Sequence, residues 1–330
     1  MREIKSALVV GAGAVGAAVA GIINARAPGA ASVLAGGERL ARIRRDGFVL
    51  NGRRVDFPLV DAGTGAGAGA MAAFADAASA AVPPADLVLV AVKCHQLAAA
   101  IEDMRPCVGP DTLILSLLNG ITSEDDLAAA FGREKVPYAM IIGIDAMRDG
   151  NSTVFASSGR INFGEARNVP GAWTERVSRI ASFFDRTGVA YVVPEDMIRT
   201  LWFKFMINVG VNQASAVLRA PYGPFQAVPE AKAAMEAPMR EVVALSRALG
   251  TGLTDRDVDA WYGTLLGLKP DAKTSMLQDV EAGRKTEVEA FAGTVVALAR
   301  KAGVDVPVNA YLFDLIRAME AGDGVRADLP

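Results

Sequence analysis

The sequence predicts an α/β fold, in which an N-terminal doubly wound parallel sheet is followed by an all-helical C-terminal domain. Short apolar runs such as "ADLVLVAVK" and "TLILSLLNG" alternate with helical patterns up to residue 195, as they do in a parallel sheet whose two faces are covered. From Met197 onward the pattern is helical and carries almost no strand signal. We therefore expect a doubly wound α/β domain at residues 1–195 and a helical domain at 196–330.

The N-terminal elements follow one another in a regular order. A strand, a turn and a helix are predicted twice, first in "ALVVGAGAVGAAVAGIINA" and then in "ASVLAGGERLARIRRDG". "NGRRVDFPLVDAG" predicts a β excursion, and the Ala/Gly-rich tract 63–81 predicts a loop or loose helix. "VPYAMIIGID" and "STVFASSGRINFGE" predict edge strands. Helices are predicted at 197–219, 229–250, 254–266, 271–282, 286–303 and 309–320.

Composition and charge argue against a nucleic-acid-binding protein, a membrane protein and a metal-dependent enzyme. The formal net charge of the 330 residues is -3 with both signs interspersed, so no basic block is present to track nucleic acid. The apolar N-terminal run contains a glycine turn, and no run of 18 apolar residues suits a bilayer, so we expect a cytoplasmic protein without membrane contacts. Cys94 and Cys107 are too few for a disulfide framework. The single histidine, His95, excludes a multi-histidine metal site, and we expect no metal.

A G-x-G-x-x-G turn spans Gly11 to Gly16. It follows a predicted strand and opens a predicted helix, which is the context of a Rossmann-like dinucleotide site. Gly11 permits the tight turn, Gly13 lets backbone approach a pyrophosphate, and Gly16 allows close packing of helix and strand. The helix N-terminus would hold the phosphates on its N–H groups, which include those of Ala14 and Val15. The alternative is a glycine-rich turn that binds nothing.

The end of the second strand bears on the choice between NADH and NADPH. An acidic side chain there binds the ribose of NAD, and a basic one binds the 2′-phosphate of NADP. Ala35 and Gly36 carry no charge, whereas Glu38 and Arg39 point to opposite answers. Further arginines follow at positions 42, 44 and 45 and favour NADPH. A solvated helix face would carry the same arginines, so NADH stays possible.

The segment "LWFKFMINVGVNQASA" is an apolar helix interrupted by Lys204, Asn208 and Asn212 at intervals of four. On an α-helix such residues form one stripe that drifts by about 40° per step and is about 12 Å long. This length suits a small substrate together with the reactive end of a cofactor. The alternatives are a lysine that reaches solvent from the helix edge and asparagines that bridge neighbouring helices.

With the glycine turn, four further stretches in order resemble the ketopantoate reductase (2-dehydropantoate 2-reductase) family. They are "VAVKCHQ", "LLNG", "LWFKFMINVGVNQ" and "TSMLQDVEAGRKTEVEAFAGTVVALARKAGVDVPVN". The resemblance implies reduction of ketopantoate to (R)-pantoate with NADPH, in pantothenate and coenzyme A biosynthesis. It also implies a site in the cleft between a nucleotide-binding and a helical domain. Apolar helices in the second domain are consistent with a homodimer.

The resemblance also implies a role for individual residues. Lys204 would donate the proton to the reduced carbonyl, and Glu287 would lie beside it and the cofactor. A lysine has a free pKa of about 10.4, which burial would lower and a nearby glutamate would raise. The expected substrate contacts are Asn119, Asn208, Asn212 and Ser275. The expected cofactor contacts, besides the glycine turn and Arg39, are Lys93, Asn119, Ala146 and Glu287. Ser275 as a helix cap and Glu287 as a solvated charge are the alternatives.

Three positions depart from the family pattern. Gly36 stands where the family often has an arginine for the 2′-phosphate, and Arg39 is the nearest substitute. Gln213 stands where some relatives have proline, and Tyr222 where some have a substrate-contacting asparagine. These departures keep open an NAD-dependent D-2-hydroxyacid dehydrogenase on the same scaffold. A non-catalytic nucleotide sensor is the alternative of a different class.

Overall fold

The computed structural model describes residues 2–62, 67–68 and 84–327. The chain divides into two compact units. Unit 1 comprises Met1–Asn119 and Ser123–Met197, and unit 2 comprises Gly120–Thr122 and Ile198–Pro330. Unit 1 is built on a largely parallel sheet with helices, and the C-terminal region is helical, so the predicted fold class is confirmed.

The strands are, in chain order, β1 (Ala7–Val10), β2 (Ala31–Ala35), β3 (Phe48–Leu50), β4 (Arg53–Val55), β5 (Leu59–Asp61), β6 (Gly67–Ala68), β7 (Leu87–Val90), β8 (Leu113–Ser116), β9 (Tyr138–Ile144), β10 (Met147–Asp149), β11 (Ser152–Val154), β12 (Ser158–Gly164) and β13 (Tyr191–Val192). The helices of the same region are α1 (Ala14–Arg26), α2 (Gly37–Asp46), α3 (Leu97–Met104), α4 (Ser123–Phe131) and α5 (Glu175–Thr187).

The main sheet has the strand order β6-β5-β2-β1-β7-β8, and only β6 pairs antiparallel. Successive residues of β1 point into two different cores: Val9 packs on one face of the sheet and Leu8 and Val10 pack on the other. Both faces are therefore covered, which is why these strands read as continuous apolar runs. The chain passes from β1 to β2 on one side and later to β7 on the other, so β1 and β7 flank a topological switch point.

The described residues of unit 1 also form two smaller sheets, with the orders β10-β11-β3-β4 and β13-β12-β9. The predicted edge position is confirmed for β9, which lies at one edge of its three-stranded sheet, and is wrong for β12, which is the central strand of that sheet. They pair antiparallel with each other, and β12 also pairs with β13, so the backbone groups of β12 are used within a separate ladder. In the tract 63–81, the structure describes Gly67–Ala68, which pair with β5. The rest of that prediction lies outside the described residues.

The C-terminal helices are α6 (Met197–Ile207), α7 (Gln213–Leu218), α8 (Tyr222–Ala227), α9 (Pro229–Leu249), α10 (Asp255–Leu265), α11 (Ser275–Glu281), α12 (Thr294–Ala302) and α13 (Pro307–Ala327). Two π-helical turns occur as well, Asn208–Asn212 and Glu289–Gly293. The predicted helices 197–219 and 286–303 are therefore not regular α-helices along their full length. Among the described residues, no helix combines the length and apolar character needed to cross a membrane.

Glu124 is a buried carboxyl near the start of α4. Its Oε1 accepts a hydrogen bond from the backbone N–H of Ala139 at 3.3 Å, and its Oε2 accepts one from the hydroxyl of Ser123 at 3.1 Å. Ser123 in turn shares a hydrogen bond of 2.7 Å with Ser116 at the end of β8. Burial raises the pKa of Glu124 to about 7, although these hydrogen bonds pull it downward. The side chain therefore titrates near neutral pH inside unit 1.

This pKa predicts that stability falls as the pH rises from about 4 to about 7. The folded-state pKa of about 7 lies above the ordinary value of about 4.3, so the stabilisation is complete below pH ~4 and is lost as the pH rises through 7. Glu124→Gln stays neutral and should be more stable than wild type at pH 8.5 by about 3 kcal/mol, or roughly 6–12 °C in Tm. Calorimetry at pH 5.5 and 8.5 measures this. The exposed Glu175→Gln serves as the control, and an equal response of both variants to pH would contradict the assignment.

Candidate active site

The glycine turn joins β1 to α1 and has the geometry of a dinucleotide loop. Gly11 has φ +95°, and a Cβ built there would lie 2.6 Å from Val92 Cγ1. A Cβ on Gly16 would lie 2.1 Å from the carbonyl oxygen of Gly11. Both glycines are therefore required by the fold itself. At Gly13 a Cβ would meet only the Ala91 carbonyl oxygen, at 4.0 Å, so the packing of the chain does not account for this glycine.

The N-terminus of α1 fits a pyrophosphate. Its N-cap is Gly13, which makes no side-chain capping bond, and the first turn carries no acidic side chain. The N–H groups of Ala14 and Val15 belong to the first turn, which leaves four donors per helix without an intrahelical partner. Oriented N–H groups at a helix N-terminus favour an anion. The residues predicted to bind the cofactor phosphates thus fit that group.

Two further predicted cofactor contacts follow neighbouring strands of the same sheet. Lys93 comes after β7, and Asn119 comes after β8. Because β1, β7 and β8 are adjacent and parallel, their carboxyl ends share the edge that carries the glycine turn. The thiol of Cys94 donates a hydrogen bond to the carbonyl oxygen of Asn119 at 3.2 Å, which ties the two loops together.

A cluster of arginines lies beyond the end of β2. Gly36 is the N-cap of α2 and has an extended backbone, with φ -134°. Burial and then the charge of Arg42 lower the pKa of Arg39. Burial lowers the pKa of Arg148 as well, followed by the charges of Arg39 and Arg42. Three guanidinium groups thus share one region of unit 1, and an anion placed there would relieve their mutual repulsion.

Sequence reasoning missed Arg148, since it lies on β10, more than a hundred residues after α2. The guanidinium of Arg148 lies 6.0 Å from the ring centre of Phe48, because β11 pairs with β10 on one side and with β3 on the other. No local pattern in the sequence signals this pairing. Ala146, a predicted cofactor contact, lies between β9 and β10, two positions before Arg148.

The helix that carries Lys204 is interrupted where the predicted substrate residues begin. Lys204 lies in α6 and is partly buried, whereas Asn208 and Asn212 are the first and last residues of a π-helical turn. A turn closed by i→i+5 bonds holds more residues than the 3.6 of an α-helix. In an α-helix, a step of four residues is slightly more than one turn, which gave the expected drift of about 40° around the helix axis. In the π-helical turn, four residues are slightly less than one turn, so this expectation is wrong between Asn208 and Asn212.

The two asparagines differ in their partners. The Nδ2 of Asn208 is buried and has no hydrogen-bond partner among the described residues. The Nδ2 of Asn212 donates to the hydroxyl of Ser275 at 3.4 Å. Ser275 is the exposed first residue of α11, and the N-cap is its neighbour Thr274, whose hydroxyl accepts from the N–H of Leu277. Asn212 and Ser275 are thus brought together, and the helix-cap alternative for Ser275 is wrong.

Glu287 lies just before the second π-helical turn and is only 5% exposed, so the solvated-charge alternative is wrong. Its backbone carbonyl accepts the N–H groups of Ala290 at 2.9 Å and Phe291 at 3.1 Å. The two π-helical turns pack against each other within unit 2. Such turns occur frequently at functional sites. The elements that carry Asn208, Asn212 and Glu287 therefore belong to one packed region.

Tyr222 lies close to the Ser275 segment. Its backbone N–H donates to the carbonyl oxygen of Ala272 at 3.0 Å, three residues before Ser275. Burial raises the pKa of the Tyr222 phenol. His95 is exposed, and the residues that the structure describes contain no group of three His, Cys, Asp or Glu side chains suited to a metal ion. Tyr222 is thus one of two departures from the family pattern that lie close to the predicted substrate residues, and the other is Gln213, which follows Asn212 directly.

Comparison with known proteins bears on the family of this chain. A family model described as ketopantoate reductase PanE/ApbA matches residues 7–168. A second model, described as the C-terminal part of the same family, matches residues 196–320. The 2-dehydropantoate 2-reductase of Halobacterium salinarum is 29% identical over 311 residues, which cover 94% of this chain and 97% of that protein.

Solved structures extend the likeness to three dimensions. The 2-dehydropantoate 2-reductase of Geobacter metallireducens GS-15 has a TM-score of 0.78 at 26% identity, over 94% of this chain and 99% of that one. A D-mandelate dehydrogenase, solved as a ternary structure with NADH and anilino(oxo)acetate, has a TM-score of 0.80 at 19% identity, over 96% and 99% of the chains. The latter likeness shows the fold alone. From its two matched family models, its relatives and its fold, the chain belongs to the ketopantoate reductase family of oxidoreductases.

Proposed function

We propose that this protein reduces 2-dehydropantoate (ketopantoate) to (R)-pantoate with NADPH. Membership of the family supports the reaction type, and relatives at 24–29% identity carry the name 2-dehydropantoate 2-reductase. The fit of the glycine turn to a pyrophosphate supports a dinucleotide cofactor. The cytoplasmic location and the homodimer stay predictions.

The observation that carries the proposal is the arrangement around the first π-helical turn. Asn208 offers a buried Nδ2 donor without a partner among the described residues, and a buried donor left unmatched costs free energy of about 1–3 kcal/mol. A substrate oxygen would satisfy it. Asn212 and Ser275, already joined by a hydrogen bond, add a neutral amide and a hydroxyl. These groups can hold a carboxylate and a hydroxyl without competing for the transferred proton.

The proposed chemistry divides between cofactor and protein. When bound, NADPH supplies a hydride to the carbonyl carbon of the substrate. Lys204 holds the carbonyl oxygen and passes it a proton as negative charge develops there, so that the product is a hydroxyl group. Glu287 favours the protonated form of the lysine and is the only carboxylate assigned to this step. The asparagines and Ser275 orient the 2-oxo acid.

The arginine cluster supports NADPH over NADH. No carboxylate pairs with Arg39 among the described residues, and its neighbours Arg42 and Arg148 are cations as well. A 2′-phosphate carries the charge and the acceptor oxygens that guanidinium groups bind best. The ribose diol of NADH carries no charge, and its neutral hydroxyl oxygens are weaker acceptors for a guanidinium group. Arg39 and Arg148 then perform the role that the family often gives to an arginine at the position of Gly36.

A second candidate is an NADH-dependent D-2-hydroxyacid dehydrogenase on the same scaffold. Two observations favour it: Gly36 carries no side chain for a 2′-phosphate, and Tyr222, which stands where some relatives have a substrate-contacting asparagine, is joined through its backbone N–H to the segment before Ser275. The D-mandelate dehydrogenase of similar fold was solved with NADH. This candidate predicts a preference for 2-oxo acids bulkier than ketopantoate.

Steady-state kinetics with a panel of 2-oxo acids and both reduced cofactors test the proposal. We expect the highest kcat/KM for ketopantoate with NADPH. Negligible turnover of ketopantoate, combined with strong turnover of a bulkier 2-oxo acid and NADH, would establish the second candidate instead. Tight binding of a dinucleotide without turnover of any 2-oxo acid would identify a nucleotide sensor.

Lys204→Ala tests the proton donor. Loss of a general acid is expected to lower kcat by about 10²-fold or more, with a smaller effect on the KM of the substrate. Single-turnover measurements of NADPH oxidation report the chemical step directly. Lys301→Ala, which removes an exposed lysine of α12, should keep full activity. Near-normal turnover of Lys204→Ala would remove the lysine from the acid role.

Arg39→Ala and Arg148→Ala test the proposed phosphate site. Each should raise the KM of NADPH by about 10-fold or more, because a charge-assisted hydrogen bond is worth about 1.5–3 kcal/mol. The KM of NADH should hardly change. Arg45→Ala is the matched control, since Arg45 lies on the same helix but pairs with Asp46 at 2.7 Å. An equal effect of Arg39→Ala and Arg148→Ala on both cofactors would count against the site.

A further inference from the structure

The first π-helical turn is held by a chain of buried side-chain amides. Gln213 is fully buried, and its Nε2 donates to the backbone carbonyl of Val209 at 2.7 Å. In an α-helix the backbone N–H of Gln213 would donate to that same carbonyl. Here this N–H donates to the carbonyl of Gly210. The side chain of Gln213 thus provides the hydrogen bond that the altered backbone gives up.

The chain continues from Gln213 into α13. The Nε2 of Gln213 also lies 3.4 Å from the Oδ1 of Asn309, which is itself fully buried. The Nδ2 of Asn309 donates to Glu241 Oε2 at 2.7 Å and to the carbonyl of Pro238 at 3.2 Å. The Oε1 of Gln213 is buried without a partner among the described residues, and exchanging it with Nε2 would place oxygen against the Val209 carbonyl. The donor orientation is therefore the consistent one.

Glu241 fixes the far end of the chain. Its two carboxylate oxygens accept the backbone N–H groups of Val308 at 2.8 Å and Asn309 at 2.9 Å. These belong to the first turn of α13, whose N–H groups have no partner within the helix. A carboxylate at a helix N-terminus is favourable, so Glu241 of α9 anchors α13 and sets the position of Asn309.

Close packing supports the same turn from α9. Gly210, inside the π-helical turn, approaches α9 so closely that a Cβ would lie 2.3 Å from Met239 Cε and 2.8 Å from the Met235 carbonyl oxygen. The turn is therefore pressed against the helix that carries Glu241. Packing fixes the distance of the turn from α9. The side chain of Gln213 donates to the Val209 carbonyl, which the π-helical turn has deprived of its usual backbone donor.

We propose that Gln213, Asn309 and Glu241 are positioning residues that keep the Asn208–Asn212 turn π-helical and thereby aim the amides of Asn208 and Asn212 at the substrate. Without the Gln213 donor, the Val209 carbonyl regains its α-helical partner only if the turn loses its extra residue. That change rotates Asn208 relative to Asn212. The functional part of this proposal rests on the function proposed above, whereas the conformational part does not.

Gln213→Met keeps the length and burial of the side chain but removes the donor, and it is the primary test. The KM for the 2-oxo acid should rise about 10-fold, with kcat and the KM of NADPH changed less than about threefold, because uniform binding is lost. Deuterium exchange of the peptide 205–216 should become faster by a similar factor. Ser246→Ala is the control for loss of a buried hydrogen bond, since Ser246 is fully buried and accepts from Leu253 at 2.9 Å. It should lower Tm without shifting the substrate KM.

Glu241→Gln provides a milder second variant, in case Gln213→Met fails to fold. The amide of the glutamine can turn its own N–H donors toward the N–H donors of Asn309, so these hydrogen bonds are weakened. Deuterium exchange of the same peptide should again become faster. The double variant should raise KM by less than the product of the two single effects, because both act through one chain. Unchanged exchange and unchanged KM in both single variants would overturn the proposal. If wild type reduces no 2-oxo acid, the proposed function fails, and the exchange measurements still decide whether the chain holds the turn.

Discussion

The helical unit depends on one constraint, which is that a buried backbone carbonyl must keep a hydrogen-bond donor. The π-helical turn at Asn208–Asn212 takes the backbone donor of Gln213 away from the Val209 carbonyl, and the side chain of Gln213 replaces it at 2.7 Å. An unpaired buried carbonyl would favour a return to the α-helix. The arrangement of Asn208 and Asn212 therefore depends on the side-chain amide of Gln213.

This constraint also explains why the polar residues around the turn lie where they do. Gln213 and Asn309 are fully buried, and residues of this type are seldom buried unless their hydrogen bonds are satisfied. Asn208, in contrast, keeps an Nδ2 without a partner among the described residues. The Nε2 of Gln213 and the Nδ2 of Asn309 donate to oxygens of the protein and hold the backbone, while Asn208 keeps a donor that no described residue accepts. The same residue type thus serves two purposes that its hydrogen-bond partners distinguish.

The glycine turn could be predicted from the sequence because its determinants are local. A side chain at Gly11 or Gly16 would collide with atoms a few residues away or just after a neighbouring parallel strand. The G-x-G-x-x-G motif contains both of these glycines. The π-helical turn could not be predicted, since it depends on α9 and α13, which follow many residues later. Gly210 within an apolar helix was the available signal, because an isolated glycine in a helix often marks close packing. The structure explains this glycine, because a Cβ on Gly210 would collide with Met239 of α9.

The same distinction applies to cofactor preference. The sequence offers Gly36, at the position that the family pattern assigns, and suggests that the phosphate ligand is missing. The structure shows that charge can reach this region from α2 and from a separate sheet, because β10 is joined to β3 through β11. Recognition of a phosphate requires guanidinium groups at suitable distances and does not require that they follow β2 in the chain. Burial, followed by the charges of neighbouring guanidinium groups, lowers the pKa of Arg39 and of Arg148, which is the effect expected where cations lie together without an anion. A substitution at one position of a motif is therefore insufficient to assign NADH, since the electrostatic requirement can be met by residues that no motif includes.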